Sequence, residues 1–198
     1  MSETRIELAD GGYLIHKPGF LDAEAADLLF AKLKEQIPWK QEQSKFGLVP
    51  RLNAWYADEG LTYSYTGISH RGSGWHPLCE LAKRKVEAGS ETDYNSLLLN
   101  YYRNGGDSIG LHTDSEPNLG VNPFVSSLSL GVTRKFSLRH MRTKDEGGKN
   151  YLRHNMTLSH GDLVVMGGTL QHHWLHELPK EAKVTGERIS LTFRKILR

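Results

Sequence analysis

The sequence predicts an α+β fold, a double-stranded β-helix (jelly roll) core with N-terminal helices packed on one sheet. Two helix-type segments occur before residue 90, and short alternating segments separated by turn residues follow. With 20 glycines in 198 residues, the chain is rich in turns, which favours many short antiparallel strands. We expect one domain over residues 1–198, because this length is sufficient for a single sizeable core.

The first predicted helix begins at Asp22, a residue type that caps helix N-termini. Leu29, Leu33 and Ile37 follow four residues apart, so they share one face. Pro38 ends the segment, since proline cannot continue a helix. This amphipathic pattern predicts a helix that covers a sheet.

The second predicted helix has Pro77 in its first turn, where the missing N–H costs nothing. Leu78, Leu81 and Ala82 are expected to face inward, and Gly89 is expected to end the helix. We predict that this helix packs on the same sheet as the first one.

Strand signals dominate after the second helix. In the segment Leu97–Arg103, alternation places Leu98, Asn100 and Tyr102 on one face. The segments 124–130 and 135–140 also read as strands, and the intervening Gly131–Arg134 predicts a hairpin between them.

The cleanest alternation is the last strand, Arg188–Arg194. Arg188, Ser190, Thr192 and Arg194 share one face, and the apolar residues share the other. Arginine pairs bidentately with carboxylates, so two arginines with a hydroxyl between them predict a socket for a dicarboxylate. The alternative is a solvated edge strand with two surface arginines.

Two His-x-Asp pairs are candidates for a 2-His-1-carboxylate iron site, which leaves open coordination positions. His112 and Asp114 leave room for several strands before the histidines near the C-terminus, as a jelly roll requires. The pair in His160–Asp162 does not, and Asp162 reads better as a turn cap. The residues leave the third ligand open among three histidines, His172, His173 and His176.

Composition narrows the functional classes. The single cysteine excludes an internal disulfide and a cysteine-based zinc site, which suggests a reducing, cytoplasmic location. No apolar run reaches membrane-spanning length, so we expect no membrane association.

A net charge of +2 permits nucleic-acid binding without requiring it. A central basic stretch reads either as a phosphate-binding patch or as a solvated hairpin: Arg134, Lys135, Arg139, His140, Arg142, Lys144, Lys149 and Arg153.

Seven short pieces carry a family resemblance by their order and spacing. They are Gly60–Gly67 (GLTYSYTG), Leu99–Tyr102 (LNYY), His112–Glu116 (HTDSE), Ser127–Gly131 (SLSLG), His160–Leu163 (HGDL), Trp174–His176 (WLH) and Arg188–Arg194 (RISLTFR). This pattern resembles the AlkB family of iron(II)- and 2-oxoglutarate-dependent dioxygenases, in the branch that repairs alkylated bases. The resemblance implies helical support and a substrate lid in residues 1–90 and the jelly-roll core in residues 91–198.

The resemblance also implies roles for individual residues. It selects His112, Asp114 and His176 as catalytic iron ligands. The residues that it implies for 2-oxoglutarate are Asn100, Tyr102, Arg188, Thr192 and Arg194, with Arg188 or Arg194 on the distal carboxylate. For a flipped base it implies Tyr63, Tyr65 and Glu116.

The implied activity is removal of N-methyl groups from bases such as 1-methyladenine and 3-methylcytosine, with formaldehyde, succinate and carbon dioxide as products. Iron(II), 2-oxoglutarate and O2 are the implied cofactors. Alkylated DNA is the expected partner, RNA is the alternative, and the protein is expected to be a monomer. The same chemistry on RNA, protein or a small molecule, or a non-catalytic nucleic-acid-binding barrel, is the alternative function.

Overall fold

The computed structural model describes residues 3–44, 47–65 and 68–197. Its strands are β1 (Thr4–Glu7), β2 (Gly12–Lys17), β3 (Gln43–Ser44), β4 (Gly47–Leu48), β5 (Leu52–Ala57), β6 (Thr62–Tyr65), β7 (Ile68–Arg71), β8 (Ser96–Tyr102), β9 (Ile109–His112), β10 (Val125–Gly131), β11 (Arg134–Lys144), β12 (Tyr151–Leu158), β13 (Leu163–Gly168), β14 (Trp174–Leu178) and β15 (Arg188–Arg194). Its α-helices are α1 (Ala23–Gln36), α2 (Pro77–Ser90) and the single turn α3 (Leu170–His173). None of these helices is both long and apolar enough to cross a lipid bilayer.

Two antiparallel sheets form the jelly roll. The large sheet has the order β1-β2-β13-β10-β15-β8-β5, and the small sheet has the order β12-β11-β14-β9. Apolar side chains of both sheets meet in one core, including Val125 and Met166 of the large sheet and Phe136 and Leu138 of the small one. The predicted fold class is confirmed. The large sheet draws β1, β2 and β5 from the first 90 residues, so this part of the chain contributes strands as well as helices.

Both long helices pack on the outer face of the large sheet. Asp22 caps α1 by accepting a hydrogen bond from the Ala25 N–H (2.8 Å), as its sequence position predicts. In α2 the buried stripe is Cys79, Ala82 and Val86. The prediction that Leu81 faces inward is wrong, because its side chain is 55% exposed. Leu81 lies one residue, or about 100° of helix rotation, before Ala82, which turns it out of the stripe.

The predicted hairpin between residues 124–130 and 135–140 is also wrong. Both strands exist, but β10 belongs to the large sheet and β11 to the small one, and β11 pairs instead with β12 and β14. The connection crosses from one layer to the other. Gly131 permits this crossing, since its φ is +90° and an added Cβ would lie 2.3 Å from the Glu187 carbonyl oxygen.

The last strand, β15, lies in the middle of the large sheet between β10 and β8. Ile189, Leu191 and Phe193 are fully buried in the core beneath the helices. The other face points between the sheets, where Arg188 is aligned with Tyr102 and Ser190 with Asn100. The predicted alternation is therefore present, and a solvated edge strand is excluded.

Candidate active site

A cavity between the two sheets collects the polar side chains of both. From the large sheet it is lined by alternate residues of β8 and β15: Leu98, Asn100, Tyr102, Arg188, Ser190, Thr192 and Arg194. From the opposite side it is lined by His112, Asp114, His176 and apolar residues of the small sheet. The polar stripe of a strand and the His-x-Asp segment thus face the same space.

His112, Asp114 and His176 form a compact cluster. One ligand atom from each residue lies within 4.8 Å of the other two. The pairing of β14 with β9 sets His176 directly opposite His112, and Asp114 follows β9 by two residues. The His176 Nε2 and Asp114 Oδ2 atoms are 3.8 Å apart. Two imidazoles and a carboxylate at these distances match the donor set of a mononuclear iron site.

Hydrogen bonding fixes the tautomer of His112. Its Nδ1 lies 2.9 Å from the Gly110 carbonyl oxygen, which only accepts, so Nδ1 carries the proton. Nε2 then has a free lone pair, as a metal ligand requires. Asp114 Oδ2 is buried without a hydrogen-bond partner in the described residues, and a metal cation would satisfy it.

A second cluster, Asp10, His140 and His173, also has ligand atoms within 4.8 Å of one another. Here the His140 Nδ1 accepts hydrogen bonds from the backbone N–H groups of Arg142 (3.1 Å) and Thr143 (2.7 Å). The proton of neutral His140 therefore lies on Nε2, which faces Asp10 Oδ2 at 2.8 Å. That nitrogen has no lone pair for a metal, so this cluster fits an ion-binding role poorly.

The other two histidines that the sequence offered as the third ligand lie outside the triad. His172 and His173 are on α3, and His173 stacks on His140 with ring centroids 6.0 Å apart. In the second His-x-Asp pair, Asp162 accepts hydrogen bonds from the backbone N–H groups of Ser159 and Gly19, both at 2.9 Å. Asp162 thus caps its turn, as predicted.

The environment of the triad holds each member in the protonation state that metal binding needs. Burial alone would raise the pKa of Asp114, but Arg194 and the two histidines lower it to about 2. Burial, and to a smaller extent the neighbouring His112, lower the pKa of His176 to about 3. Burial also lowers the pKa of His112. At neutral pH the site therefore presents a carboxylate and two neutral imidazoles.

The two arginines of β15 have different surroundings. Arg194 donates a hydrogen bond to Asp114 Oδ1 at 2.8 Å, so it belongs to the triad end of the cavity. Arg188 is fully buried and donates to the Ser129 hydroxyl at 2.8 Å. It has no ion-pair partner in the described part of the chain, and burial lowers its pKa to about 10. A buried guanidinium without a counter-charge is costly, and a bound carboxylate would relieve that cost.

Sequence reasoning missed two buried residues that support the site. The Arg51 guanidinium donates to the Asn100 side-chain oxygen at 2.6 Å and orients that amide. Gln171 is 1% exposed, and its side-chain oxygen accepts a hydrogen bond from the Asp114 backbone N–H at 2.9 Å. Neither residue lies in a recognisable spacing pattern. Only pairing across distant segments brings them to the site.

The predicted base-binding residues are placed only in part. Tyr63 and Tyr65 lie in β6, whose backbone pairs with β7, while their side chains are outside the described part. Glu116 is partly exposed and lies two residues after Asp114, at the start of a short 3-10 turn over Pro117–Leu119.

The central basic stretch divides into buried and exposed residues. Arg134 and His140 are buried, so they are not part of a surface patch. The remaining cations lie on the β11–β12 hairpin, where Lys144 and Arg139 flank the Tyr151 ring at 3.7 and 5.3 Å from its centroid. This hairpin end combines positive charge with a partly exposed aromatic ring.

The chain is similar in sequence and in fold to known proteins. A family model described as the 2OG-Fe(II) oxygenase superfamily matches residues 13–194. Alpha-ketoglutarate-dependent dioxygenase alkB homolog 3 of Homo sapiens is 39% identical over 186 residues, which are 90% of this chain and 64% of that protein. DNA oxidative demethylase ALKBH2 of Homo sapiens is 36% identical over 183 residues, which are 87% of this chain and 69% of that protein.

The bovine alkB homolog 3 is 40% identical to this chain and is likewise matched over 64% of its length. The chain thus spans slightly less than two thirds of the length of the alkB homolog 3 proteins. The solved structure of OsALKBH1 superimposes with a TM-score of 0.65 at 18% identity and covers 97% of this chain and 100% of that one. At that identity the likeness concerns the fold.

Proposed function

Because the chain belongs to the AlkB family within the 2OG-Fe(II) oxygenase superfamily, we propose that it is an oxidative demethylase of nucleic-acid bases. The observation that carries the proposal is that one cavity contains both the His-Asp-His cluster and a buried arginine, Arg188, without a carboxylate partner among the described residues. A metal ion and a diacid cosubstrate account for both features together. Either feature alone has a simpler structural explanation.

His112, Asp114 and His176 would hold iron(II) through Nε2 of each histidine and the buried carboxylate. When bound, iron(II) with 2-oxoglutarate and O2 supplies the oxidising power to hydroxylate a C–H bond, and 2-oxoglutarate becomes succinate and carbon dioxide. The chain keeps the ligands in their binding state, since Arg194 holds Asp114 ionised and Gly110 fixes the tautomer of His112.

The cosubstrate would lie along the polar face of β15. Arg194 already pairs with Asp114, so Arg188 is the better candidate for the distal carboxylate. Thr192 on β15, and Asn100 and Tyr102 on the adjacent β8, would add hydrogen bonds at the sides. We therefore propose Arg188 for the distal carboxylate, a choice between the two arginines that the sequence leaves open.

The substrate would be an alkylated base such as 1-methyladenine or 3-methylcytosine, turned out of its strand. Hydroxylation of an N-methyl group gives a hemiaminal, whose C–N bond breaks to release formaldehyde and a proton and to restore the lone pair of the ring nitrogen. His112 is partly exposed whereas Asp114 and His176 are buried, so its ring is available for stacking on a base. Tyr63, Tyr65 and Glu116 are our proposed base contacts. The similarity to ALKBH2 proteins, which are DNA oxidative demethylases, favours DNA over RNA.

Turnover of methylated oligonucleotides tests the proposal. Single-stranded and paired DNA and RNA carrying 1-methyladenine or 3-methylcytosine are incubated with iron(II) and 2-oxoglutarate, and formaldehyde and succinate are measured. We expect both products from DNA with the wild-type chain and neither with Asp114→Ala. The matched control is Asp10→Ala, which removes the carboxylate of the second cluster and should leave turnover unchanged.

The other outcomes separate the alternatives. Formaldehyde and succinate from the RNA oligonucleotides alone would change the substrate from DNA to RNA and leave the proposed oxidative demethylation unchanged. Equal oligonucleotide binding with and without iron(II), and no products, would instead identify a non-catalytic binding barrel.

A further inference from the structure

An apolar groove of about 240 Å³ lies between α1 and α2, on the outer side of the large sheet. It is lined by side chains at positions i, i+3 and i+7 of each helix, with Leu128 of β10 at its base. We name it the α1–α2 groove and define it by Ala25, Leu28 and Lys32 of α1 and Leu78, Leu81 and Lys85 of α2. Its two most prominent leucines, Leu28 and Leu81, are each 55% exposed.

The positions of the leucines are unusual for these helices. Each helix already buries a separate stripe against the sheet, with Ala26, Leu29 and Leu33 in α1. Leu28 and Leu81 lie outside those stripes, so the fold of this chain does not require them to be apolar. Single exposed leucines need no explanation, but two that face one cavity form a contiguous apolar site.

The charges on the two helices follow a pattern. Three of their five cations have carboxylate partners: Lys34 with Glu187, Lys83 with Glu87, and Arg84 with Glu80. The other two, Lys32 and Lys85, are those that line the groove, and neither forms an ion pair within the described ranges. No carboxylate lines the groove either. Two lysines without an ion-pair partner in the described structure therefore flank an apolar floor that carries no carboxylate, and the rim of the groove is positive.

We propose that the α1–α2 groove binds an amphipathic helix of a partner protein whose apolar face is flanked by Asp or Glu. Leucine-type anchors spaced by three and four residues match a groove between two helices. Acidic flanks complement Lys32 and Lys85, which supplies orientation and selectivity. A positive rim around an apolar floor would reject a basic amphipathic helix.

The groove is compatible with an active enzyme. It lies on the helix-covered face of the large sheet, while the His-Asp-His cavity lies on the opposite face of that sheet. A partner helix bound there would tether the chain without covering the cavity. The proposal does not depend on the demethylase assignment, because none of the groove residues lines the cavity.

The test uses an 18-residue fluorescein-labelled peptide with leucines at i, i+4, i+7 and i+11 and glutamates on both flanks. Fluorescence anisotropy measures its binding to the full chain. We expect saturable binding that falls by about tenfold with the double variant Lys32→Glu, Lys85→Glu. A second peptide with lysines in place of the glutamates should bind that variant more tightly than the wild type.

Two variants separate the groove from a general charge effect. Arg84→Glu makes the same charge change as Lys85→Glu, on the same helix but outside the groove, and should leave binding unchanged. Leu28→Gln with Leu81→Gln should abolish binding while circular dichroism and oligonucleotide turnover stay at wild-type values.

Four results would overturn the proposal. They are absent binding of the glutamate peptide, an equal loss with Arg84→Glu, tighter binding to anionic vesicles, and a wild-type dimer in sedimentation that the leucine variant dissociates. The last result would assign the groove to a second copy of this chain. Tighter binding to anionic vesicles than to the peptide would assign it to a membrane surface and would equally refute the helix.

Discussion

Replacement of Arg188 by methionine is expected to separate stability from cosubstrate binding. The Arg188 guanidinium is fully buried, and burial lowers its pKa from the ordinary value of an arginine to about 10. That lowering corresponds to a cost on the order of 3 kcal/mol for keeping the charge in its site. Arg188→Met removes this cost and keeps most of the volume, so the melting temperature of the ligand-free protein should stay the same or rise.

The same change should weaken 2-oxoglutarate binding strongly. Loss of one partner of a buried, charge-assisted pair costs about 2 to 5 kcal/mol, and each 1.4 kcal/mol is a factor of ten in affinity. We therefore expect the dissociation constant for 2-oxoglutarate to rise by about 100-fold. Affinity for the oligonucleotide should change little, because Arg188 lies deep between the sheets.

Arg134→Met is the matched control. Arg134 is also fully buried, but it pairs with Glu181 at 2.9 Å and donates to the carbonyl oxygens of Asn104, Asp107 and Pro179. Its loss removes the counter-charge of Glu181 and the guanidinium hydrogen bonds to three carbonyl oxygens, which costs about 3 to 5 kcal/mol. For a chain of this length, that corresponds to a melting temperature lower by about 10 °C.

Thermal unfolding of the ligand-free variants measures the first quantity. Calorimetric titration with 2-oxoglutarate, with Mn²⁺ in place of iron(II) to prevent turnover, measures the second. If Arg188→Met is destabilised as much as Arg134→Met and still binds 2-oxoglutarate with wild-type affinity, then Arg188 is a structural residue and the reasoning is refuted.

Three further expectations test separate parts of the structure. Gln171→Met removes the side-chain oxygen that accepts a hydrogen bond from the Asp114 N–H, so the affinity for Co²⁺ should fall by about tenfold. Visible absorption of the bound Co²⁺ measures this affinity. Gln171→Glu keeps an acceptor at this position and should bind Co²⁺ with wild-type affinity. Burial raises the pKa of the Cys79 thiol to about 12, so iodoacetamide at pH 8 should modify it only after unfolding. Between about pH 9 and 12 only the unfolded thiol loses its proton, so this group makes unfolding more favourable as pH rises. Replacing Lys135 and Arg139 by alanine should reduce the slope of log affinity against log salt concentration for single-stranded DNA by about 0.7 per lost phosphate contact. An unchanged slope would mean that neither side chain contacts phosphate and that both are ordinary solvated residues of the hairpin.

The sequence was most informative where a local rule acts on neighbouring residues. Alternation along Arg188–Arg194 predicted which side chains face the cavity, because strand geometry has a period of two whatever the rest of the fold does. Asp22 as the cap of α1 and Asp162 as a turn cap followed for the same reason. Each of these predictions needs only a few consecutive residues.

Predictions that required knowledge of the layers failed. The connection at Gly131–Arg134 has the composition of a hairpin, but its two strands enter different sheets. Leu81 has the residue type of an inward position, but the adjacent Ala82 belongs to the buried stripe. Residue type and turn chemistry do not say which surface a strand or helix meets.

The sequence by itself predicted both long helices, several of the later strands, the alternating polar face of the last strand and the family to which the chain belongs. Only the tertiary structure revealed the Asp10–His140–His173 cluster and its poor fit to a metal ion. That judgement depends on whether the imidazole Nδ1 donates to the backbone, as in His112, or accepts from it, as in His140. Only the tertiary structure separated Arg188 from Arg194, or revealed Gln171 behind Asp114. These contacts join segments far apart in the chain, and no local pattern encodes a contact that forms only when the two sheets close on each other.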